Sequence, residues 1–318
     1  MKRYRVALRP LTPFGTPLAG DTLFGHLCCA ATQRRGESGL ADLLAGYTDG
    51  RPWAVLSDAF PAGTLPRPTL PVGVAGLDID PRDRKALKAI EWLPAGECHL
   101  PVAQWIRSAA ADGLGGAPEH RSISRVAVTT RNTINRLTGT TGRDQFAPRQ
   151  IDQICFGPDV MLDLYAVLDE QRMAVEEFRV LLADVGRWGF GRDASTGLGK
   201  FTIEGLAEVP EAAPSRHAMA LAPCAFDPGV IDPDGCWWLP VTRFGRHGGT
   251  AALGGGGGPF KRPLMLARTG AVIRWRQPCV AIWHGSGLGG TRQPISAAIP
   301  ATVHQGYAPL VSINVEEV

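Results

Sequence analysis

Residues 186–205, GRWGFGRDASTGLGKFTIEG, join two segments of opposite character through a glycine-rich turn. Upstream, over roughly 172–185, Met173, Phe178, Leu181, Leu182 and Val185 fall on one helical face. Downstream, Lys200 to Ile203 reads as a strand. Glycines between them permit backbone angles and close approaches that other residues resist. The order of helix, turn and strand is the reverse of a dinucleotide-binding fingerprint, in which the turn follows a strand and opens a helix, so Gly189-Phe190-Gly191 is not a Rossmann site. No GxxxxGK[ST] occurs, which removes a P-loop ATPase.

Working outward, Tyr4 to Leu8 alternates with period two and breaks at Pro10 and Pro13, a first strand entering a loop. After Gly20, Asp21 or Thr22 caps a helix carrying Leu23, Phe24, Leu27, Cys28 and Ala31. Residues 49–75 are rich in proline and glycine and read as a structured loop. Residues 81–93 form a short helix with Leu87, Ile90 and Leu93 on one side; 108–120 are a mobile stretch; 160–168 are a strand. Pro210 and Pro214 mark a linker that places a boundary near 206–215, giving units of 1–208 and 209–318. In the second unit LAPCAF (221–226), CWWLPVTRF (236–244), PLMLA (263–267) and AVIRW (271–275) are strand-like, while Gly254 to Gly258 resist any regular element. Strands, short helices and long loops make this an α+β chain, not a TIM barrel or helical bundle.

The chain has 318 residues, 44% hydrophobic and 20% charged, enough apolar material for a substantial core. No run approaches the roughly 20 apolar residues needed to cross a bilayer, and MKRYRVALRPL lacks a signal-peptide core. The seven cysteines form no CxxC, and an odd count suits a reducing compartment. The expectation is a soluble, cytoplasmic protein with no membrane contact, no metal and no cofactor. A net charge of +3 is mild, but its distribution is uneven. From His120 to Gln150 stand six arginines (Arg121, Arg125, Arg131, Arg136, Arg143, Arg149) against one acid, Asp144, with Asn132 and Asn135 among them. That composition suits a sugar-phosphate backbone and equally suits a solvated basic loop. From Gly235 to Asn314 there is no acid, yet Arg243, Arg246, Lys261, Arg262, Arg268, Arg274, Arg276 and Arg292 are present. Such a field attracts a polyanion, and Trp237, Trp238, Phe244, Trp275, Trp283 and Tyr307 offer stacking surfaces or core.

The glycine-rich stretch WGFGRDASTGLGKF (188–201) resembles the loop before the last strand of a ferredoxin-like domain in the RAMP superfamily of CRISPR-associated proteins. PLAGDTLFGHLC (17–28), SDAFP (57–61), LPRP (65–68), RNTINRLTG (131–139), PFKRPLML (259–266) and HQGYA (304–308) extend that resemblance, in order, to the Csm4 family of type III-A CRISPR effector complexes. The resemblance implies a Cas5-like protein of two ferredoxin-like, RRM-related domains with long loop insertions. It implies a non-catalytic subunit that holds the repeat-derived 5′ tag of crRNA and joins the large Cas10 subunit to a Cas7-like backbone subunit, among the other Csm-complex subunits.

On that reading Gly189, Gly191, Gly197 and Gly199 shape an RNA-facing loop, with Arg192, Ser195, Thr196 and Lys200 as phosphate contacts. Arg131, Asn132, Asn135 and Arg136 touch the tag; Gly20 and His26 form an RNA wall; Lys261 and Arg262 belong to a late basic motif. Asp21 is read as a helix cap or loop clamp. Two other readings stand beside this one. His26 as general base for a 2′-hydroxyl would make a metal-independent crRNA-processing endoribonuclease, though no partner acid is identifiable. A protein–protein adaptor without direct RNA affinity is the third. Asp58, Asp144 and Asp193 occur singly, which gives metal-assisted cleavage no carboxylate cluster.

Overall fold

The computed structural model describes residues 1–77, 89–111, 123–210, 213–248 and 258–316. In the first part the elements run β1 (Lys2–Pro10), α1 (Gly20–Leu44), β2 (Ala54–Pro61), β3 (Thr64–Pro66), β4 (Trp92–Pro94), α2 (Val102–Ala111), β5 (Ser124–Arg131), β6 (Arg149–Phe156), β7 (Leu162–Leu168), α3 (Val175–Trp188) and β8 (Phe201–Glu208). Four of these strands build one antiparallel sheet in the order β2-β7-β1-β8. Counted among themselves they follow β-α-β-β-α-β along the chain and lie 2-3-1-4 across the sheet.

The burial pattern explains that sheet. β1 buries Tyr4, Val6 and Leu8 while Lys2 and Arg5 stay outside, and β7, in the middle, is buried along its whole length. Leu23, Phe24 and Leu27 of α1 join Phe178, Leu181, Leu182 and Val185 of α3 in the core with these strands. α1 is broken at Gly36, whose φ of +74° no helix continues through. It begins with Ala19 as N-cap and has no side-chain cap, so neither Asp21 nor Thr22 serves as the expected cap.

The second part comprises β9 (Ser215–Ala220), β10 (Pro240–Arg243), β11 (Leu264–Ala267), β12 (Val272–Cys279), β13 (Trp283–Gly289) and β14 (Val303–Ile313). Its main sheet runs β12-β9-β14-β13, antiparallel throughout, and β10–β11 form a separate ribbon. No α-helix occurs here among the described residues, and the strand order differs from that of the first sheet. The first sheet draws only on residues up to Glu208 and the second only on residues from Ser215.

Several local expectations change. Within 49–75, Val55 and Leu56 are fully buried and β2 and β3 form, because the prolines fall at strand ends or between strands. The strand expected at 221–226 lies one segment earlier, in β9; Cys224 makes only an isolated bridge to Ala267. Of the helix expected at 81–93, residues 81–88 lie outside the described set, and Trp92 and Leu93 belong to β4. The stretch 108–120 is helical through Ala111, and its remainder lies outside the described residues, as do Arg121 and Gly254 to Gly257. All seven cysteines are free, and no described helix is long and apolar enough to cross a membrane.

The two sheets are joined by buried polar groups as well as by packing. The amide of Gln305 copies a strand partner: its Oε1 accepts from Leu56 N–H at 2.9 Å and its Nε2 donates to Leu56 C=O at 2.8 Å. Arg3 donates to the Leu310 and Pro210 carbonyls at 2.8 and 3.1 Å. A mixed core of Phe60, Trp105, Tyr165, Met219, Val272 and Ile313 draws on both parts and on α2. Gln305→Leu strands two buried backbone groups and is expected to lower the unfolding free energy by about 2–4 kcal/mol. Urea denaturation checks this: the midpoint falls while the slope holds.

Candidate nucleic-acid interface

Where α3 ends at Trp188, the chain enters the glycine-rich loop that leads to β8. Three glycines are obligatory here, Gly189 among them: at φ +101° it has the Leu198 carbonyl where a Cβ would sit. Gly191, at φ +75°, has the Thr16 hydroxyl where a Cβ would sit, and Gly199, at φ +74°, has the Phe190 carbonyl there. The approach at Gly199 arises inside the loop, where Phe190 N–H donates to Gly199 C=O at 2.9 Å; residues 11–16 run beside it, with Gly199 N–H donating to Pro13 C=O at 2.8 Å and Lys200 N–H to the Thr12 hydroxyl at 2.9 Å. Phe190 is fully buried between Phe14 and His26, with ring centroids 6.2 and 5.0 Å away.

His26 fastens this loop to α1. Gly191 N–H donates to His26 Nε2 at 3.0 Å, so that nitrogen carries no proton, and burial pushes the imidazole pKa down. The ring is a neutral acceptor already in use.

The basic segment forms a hairpin, an element that neither its composition nor its spacing announces. β5 and β6 pair without irregularity from Ser124↔Phe156 to Arg131↔Arg149. Phe14 exchanges both backbone hydrogen bonds with Ile154, at 2.9 and 2.8 Å, and its ring meets Phe156 edge-on at 5.5 Å. Two arginines close the seam with the loop: Arg192 Nη2 donates to Asp152 C=O at 2.7 Å, and Arg131 Nη1 to the Thr196 hydroxyl at 2.6 Å. Loop and hairpin base therefore form one body. Along the hairpin Arg125, Arg136, Arg143 and Arg149 are exposed.

The residues expected at the site separate into groups. Gly189, Gly191, Arg192, Ser195, Thr196, Gly197 and Gly199 share the loop with Arg131 and His26 against it. Asn132 and Arg136 lie exposed beyond β5, while Asn135 accepts from Leu137 N–H at 2.9 Å and holds the turn of the tip. The Lys200 side chain lines an open cleft of about 430 Å³ with Arg179, Arg187 and Leu11, along α3 and β8. Gly20 lies against β2; a Cβ there would meet the Leu56 carbonyl. Lys261 and Arg262 lie in the segment leading into β11, with Lys261 N–H donating to Gly245 C=O at 2.8 Å and Arg262 N–H to Ile295 C=O at 2.7 Å.

Asp21 is a clamp between the two parts, and its partners could not be found by spacing. Arg243 grips it through Nε and Nη2 at 2.5 and 2.6 Å, and His304 Nε2 lies 3.3 Å away. Burial alone would raise this carboxyl, but His304 and Arg243 together hold it well below the usual carboxylate range. Asp58, next to it, accepts from Gly20 N–H at 2.9 Å and the Thr269 hydroxyl at 2.5 Å. Burial outweighs these donors and raises its pKa to about 6. Asp58, Asp144 and Asp193 sit in separate places, and among the described residues no three His, Cys, Asp or Glu side chains converge as a metal site.

No family model matches the chain, and no curated protein matches its sequence. Solved structures do. A chain of a Csm1–Csm4 cassette in complex with pppApA aligns over 100% of both chains at TM-score 0.60 and 15% identity. A chain of the same cassette with AMPPNP gives 0.59 and 16%, again over 100% of both. A chain of a Csm3–Csm4 subcomplex of the type III-A CRISPR-Cas interference complex aligns over 96% of this chain and 99% of its own, at 0.52 and 11%. At such identities the likeness is one of fold, and Csm4 is the component these assemblies share.

Because Asp58 binds its proton more tightly when folded, its contribution to stability is largest below 3.8 and is lost as pH climbs to about 6. Asp58→Asn keeps an acceptor for the Gly20 N–H, and its amide can donate to the Thr269 hydroxyl in place of accepting from it. Urea titrations across that window should show the wild type's downward component removed in this variant.

Proposed function

We propose that this chain, whose fold is Csm4-like, is the Cas5-like subunit of a type III-A CRISPR effector complex: it holds the 5′ tag of a guide RNA and joins the large Cas10 subunit to the Cas7-like backbone. The observation that carries this reading is the fusion of the glycine-rich loop with the base of an arginine-bearing hairpin through Arg131, Arg192 and Phe14. A guanidinium has five donors, so Arg131 and Arg192 keep others for phosphate after fixing the seam. Exposed Ser195 supplies a further hydroxyl, and Arg125, Arg136 and Arg149 extend the cationic track along the hairpin.

The fold supports the same reading. The β-α-β-β-α-β order with strands 2-3-1-4 across the sheet is that of a ferredoxin-like unit. The second part is then a reduced counterpart, its four-stranded sheet formed without flanking helices among the described residues. The chain's partners on this reading are Cas10 and the Cas7-like subunit, in keeping with the Csm1–Csm4 and Csm3–Csm4 assemblies whose chains share its fold.

Binding is favoured over cleavage. A 2′-hydroxyl attack needs a base with a free nitrogen at the scissile phosphate, whereas His26 Nε2 already accepts the Gly191 amide within a half-buried contact. His26 acts on RNA through the loop it holds.

The test uses guide RNA with an intact or scrambled 5′ tag, in EDTA, with the Cas10 partner present or absent. Tag-dependent binding with uncut RNA is the expected result. Arg131→Ala with Arg192→Ala should weaken binding and reduce the salt slope by roughly 0.7 per lost phosphate contact, while assembly with Cas10 persists. Metal-independent cleavage abolished by His26→Ala would overturn the reading in favour of a nuclease; assembly without RNA affinity would favour an adaptor.

A further inference from the structure

One border of the first sheet carries a cleft that neither the core nor the loop–hairpin body uses. β8 is the last strand of that sheet: it pairs with β1 on one side and with no described strand on the other. A strand in that position is a template for one more. The Phe201 carbonyl lies against Gly186 of α3, and beyond it Thr202, Glu204 and Ala207 are exposed. At this border Arg179, Ala183 and Arg187, spaced to share one helical face of α3, line the open cleft of about 430 Å³ together with Leu11, Lys200 and Ile203.

The lining contains three cations and no acid. Two of the cations have an acid nearby on their own helix: Arg179 lies 3.6 Å from Glu176, and Arg187 3.5 Å from Asp184. Neither neighbour saturates its arginine. Glu176 is 76% exposed, which makes its pair weak, and Asp184 is already held by Arg34 at 2.5 Å. A guanidinium has five donors, so most remain for a further carboxylate. The Lys200 ammonium makes no hydrogen bond or ion pair among the described residues. Between the cations the floor is aliphatic, and the one ring in the lining, Phe201, is 3% exposed, which leaves a nucleobase nothing to stack on.

We infer that this cleft docks an extended acidic segment of a protein partner, which adds to β8 as one more strand and sets carboxylates against Arg179, Arg187 and Lys200. The inference goes beyond the RNA-binding reading and does not rest on it. Strand addition takes affinity from main-chain hydrogen bonds and specificity from alternate side chains. The open border supplies the first, and the two faces of β8 supply the second. Phe201 and Ile203 pack into the core with α3, whereas Thr202 and Glu204, hydrogen-bonded to each other at 2.7 Å, share the opposite face. The segment that fits therefore carries acids at every second position, towards α3, and neutral residues between them, where Glu204 repels an acid. A nucleic-acid strand matches neither the backbone pattern of the border nor its aliphatic floor.

Fluorescence anisotropy and amide hydrogen exchange on the full chain test this with a labelled peptide of alternating glutamate and threonine. The expected result is saturable, salt-sensitive binding that slows exchange within β8, and no binding of a lysine–threonine peptide. Arg179→Gln with Arg187→Gln should weaken peptide binding at least about tenfold. Arg179→Lys with Arg187→Lys should retain more of it, thermal melting should match the wild type for both pairs, and tag-bearing RNA should bind all three proteins alike. The inference is wrong if the glutamate–threonine peptide does not bind, or if it binds without slowing exchange in β8, which is charge attraction alone. It is also wrong if the glutamine pair loses RNA affinity instead, which makes the cleft part of the RNA path.

Discussion

The start of α1 is gripped from two sides, and the candidate interface depends on both grips. On one side the buried Asp21 carboxylate takes a two-pronged hydrogen bond from Arg243, with His304 close by. On the other, four to five residues further along the helix, His26 accepts the amide of Gly191. A carboxylate this deeply buried is costly unless paired, and pairing it with a residue 222 positions away fixes one part of the molecule on the other. The same helix therefore orients the β10–β11 ribbon, the glycine-rich loop and, through the loop, the hairpin.

The basic surface of this protein, whose net charge is only +3, is local to the hairpin. Four acids of the first part are engaged internally: Asp184 pairs with Arg34, Glu177 with Arg35, Asp21 with Arg243, and Asp163 receives Gly63 N–H. Arg125, Arg136, Arg143 and Arg149 on and around β5–β6 face outward. Rigidity comes from apolar contacts below them. Phe14, Phe156 and Phe190 form the joint under the hairpin, so the cations stand on a fixed base and not on a free loop.

How much of this is legible in the sequence follows from the physics of each element. β1, β7 and α3 are readable because their apolar spacing matches the faces they bury, and the loop is readable because positive-φ positions such as Gly191 and Gly199 demand glycine. β5 is not: SRVAVTTR is exposed on both faces, so no periodic burial marks it, and only its pairing with β6 makes it a strand. β13 is hidden by Gly285, Gly287 and Gly289, yet Gly287 is required because the Tyr47 carbonyl oxygen lies 2.4 Å from the place a Cβ would take. The Asp21 clamp leaves no local signal, since its partners come from β10 and β14. Among site residues, Arg131 and Arg192 are found by charge and motif, whereas their bonds to Thr196 and to the Asp152 carbonyl leave no local signal.

Photo-crosslinking addresses the central claim most directly. Tag-bearing guide RNA carrying 4-thiouridine would be bound to the protein, irradiated and digested, and the crosslinked peptides identified by mass spectrometry. The account predicts crosslinks within 189–200 and 124–156. Crosslinks confined to α3, around Arg179 and Arg187, would contradict it.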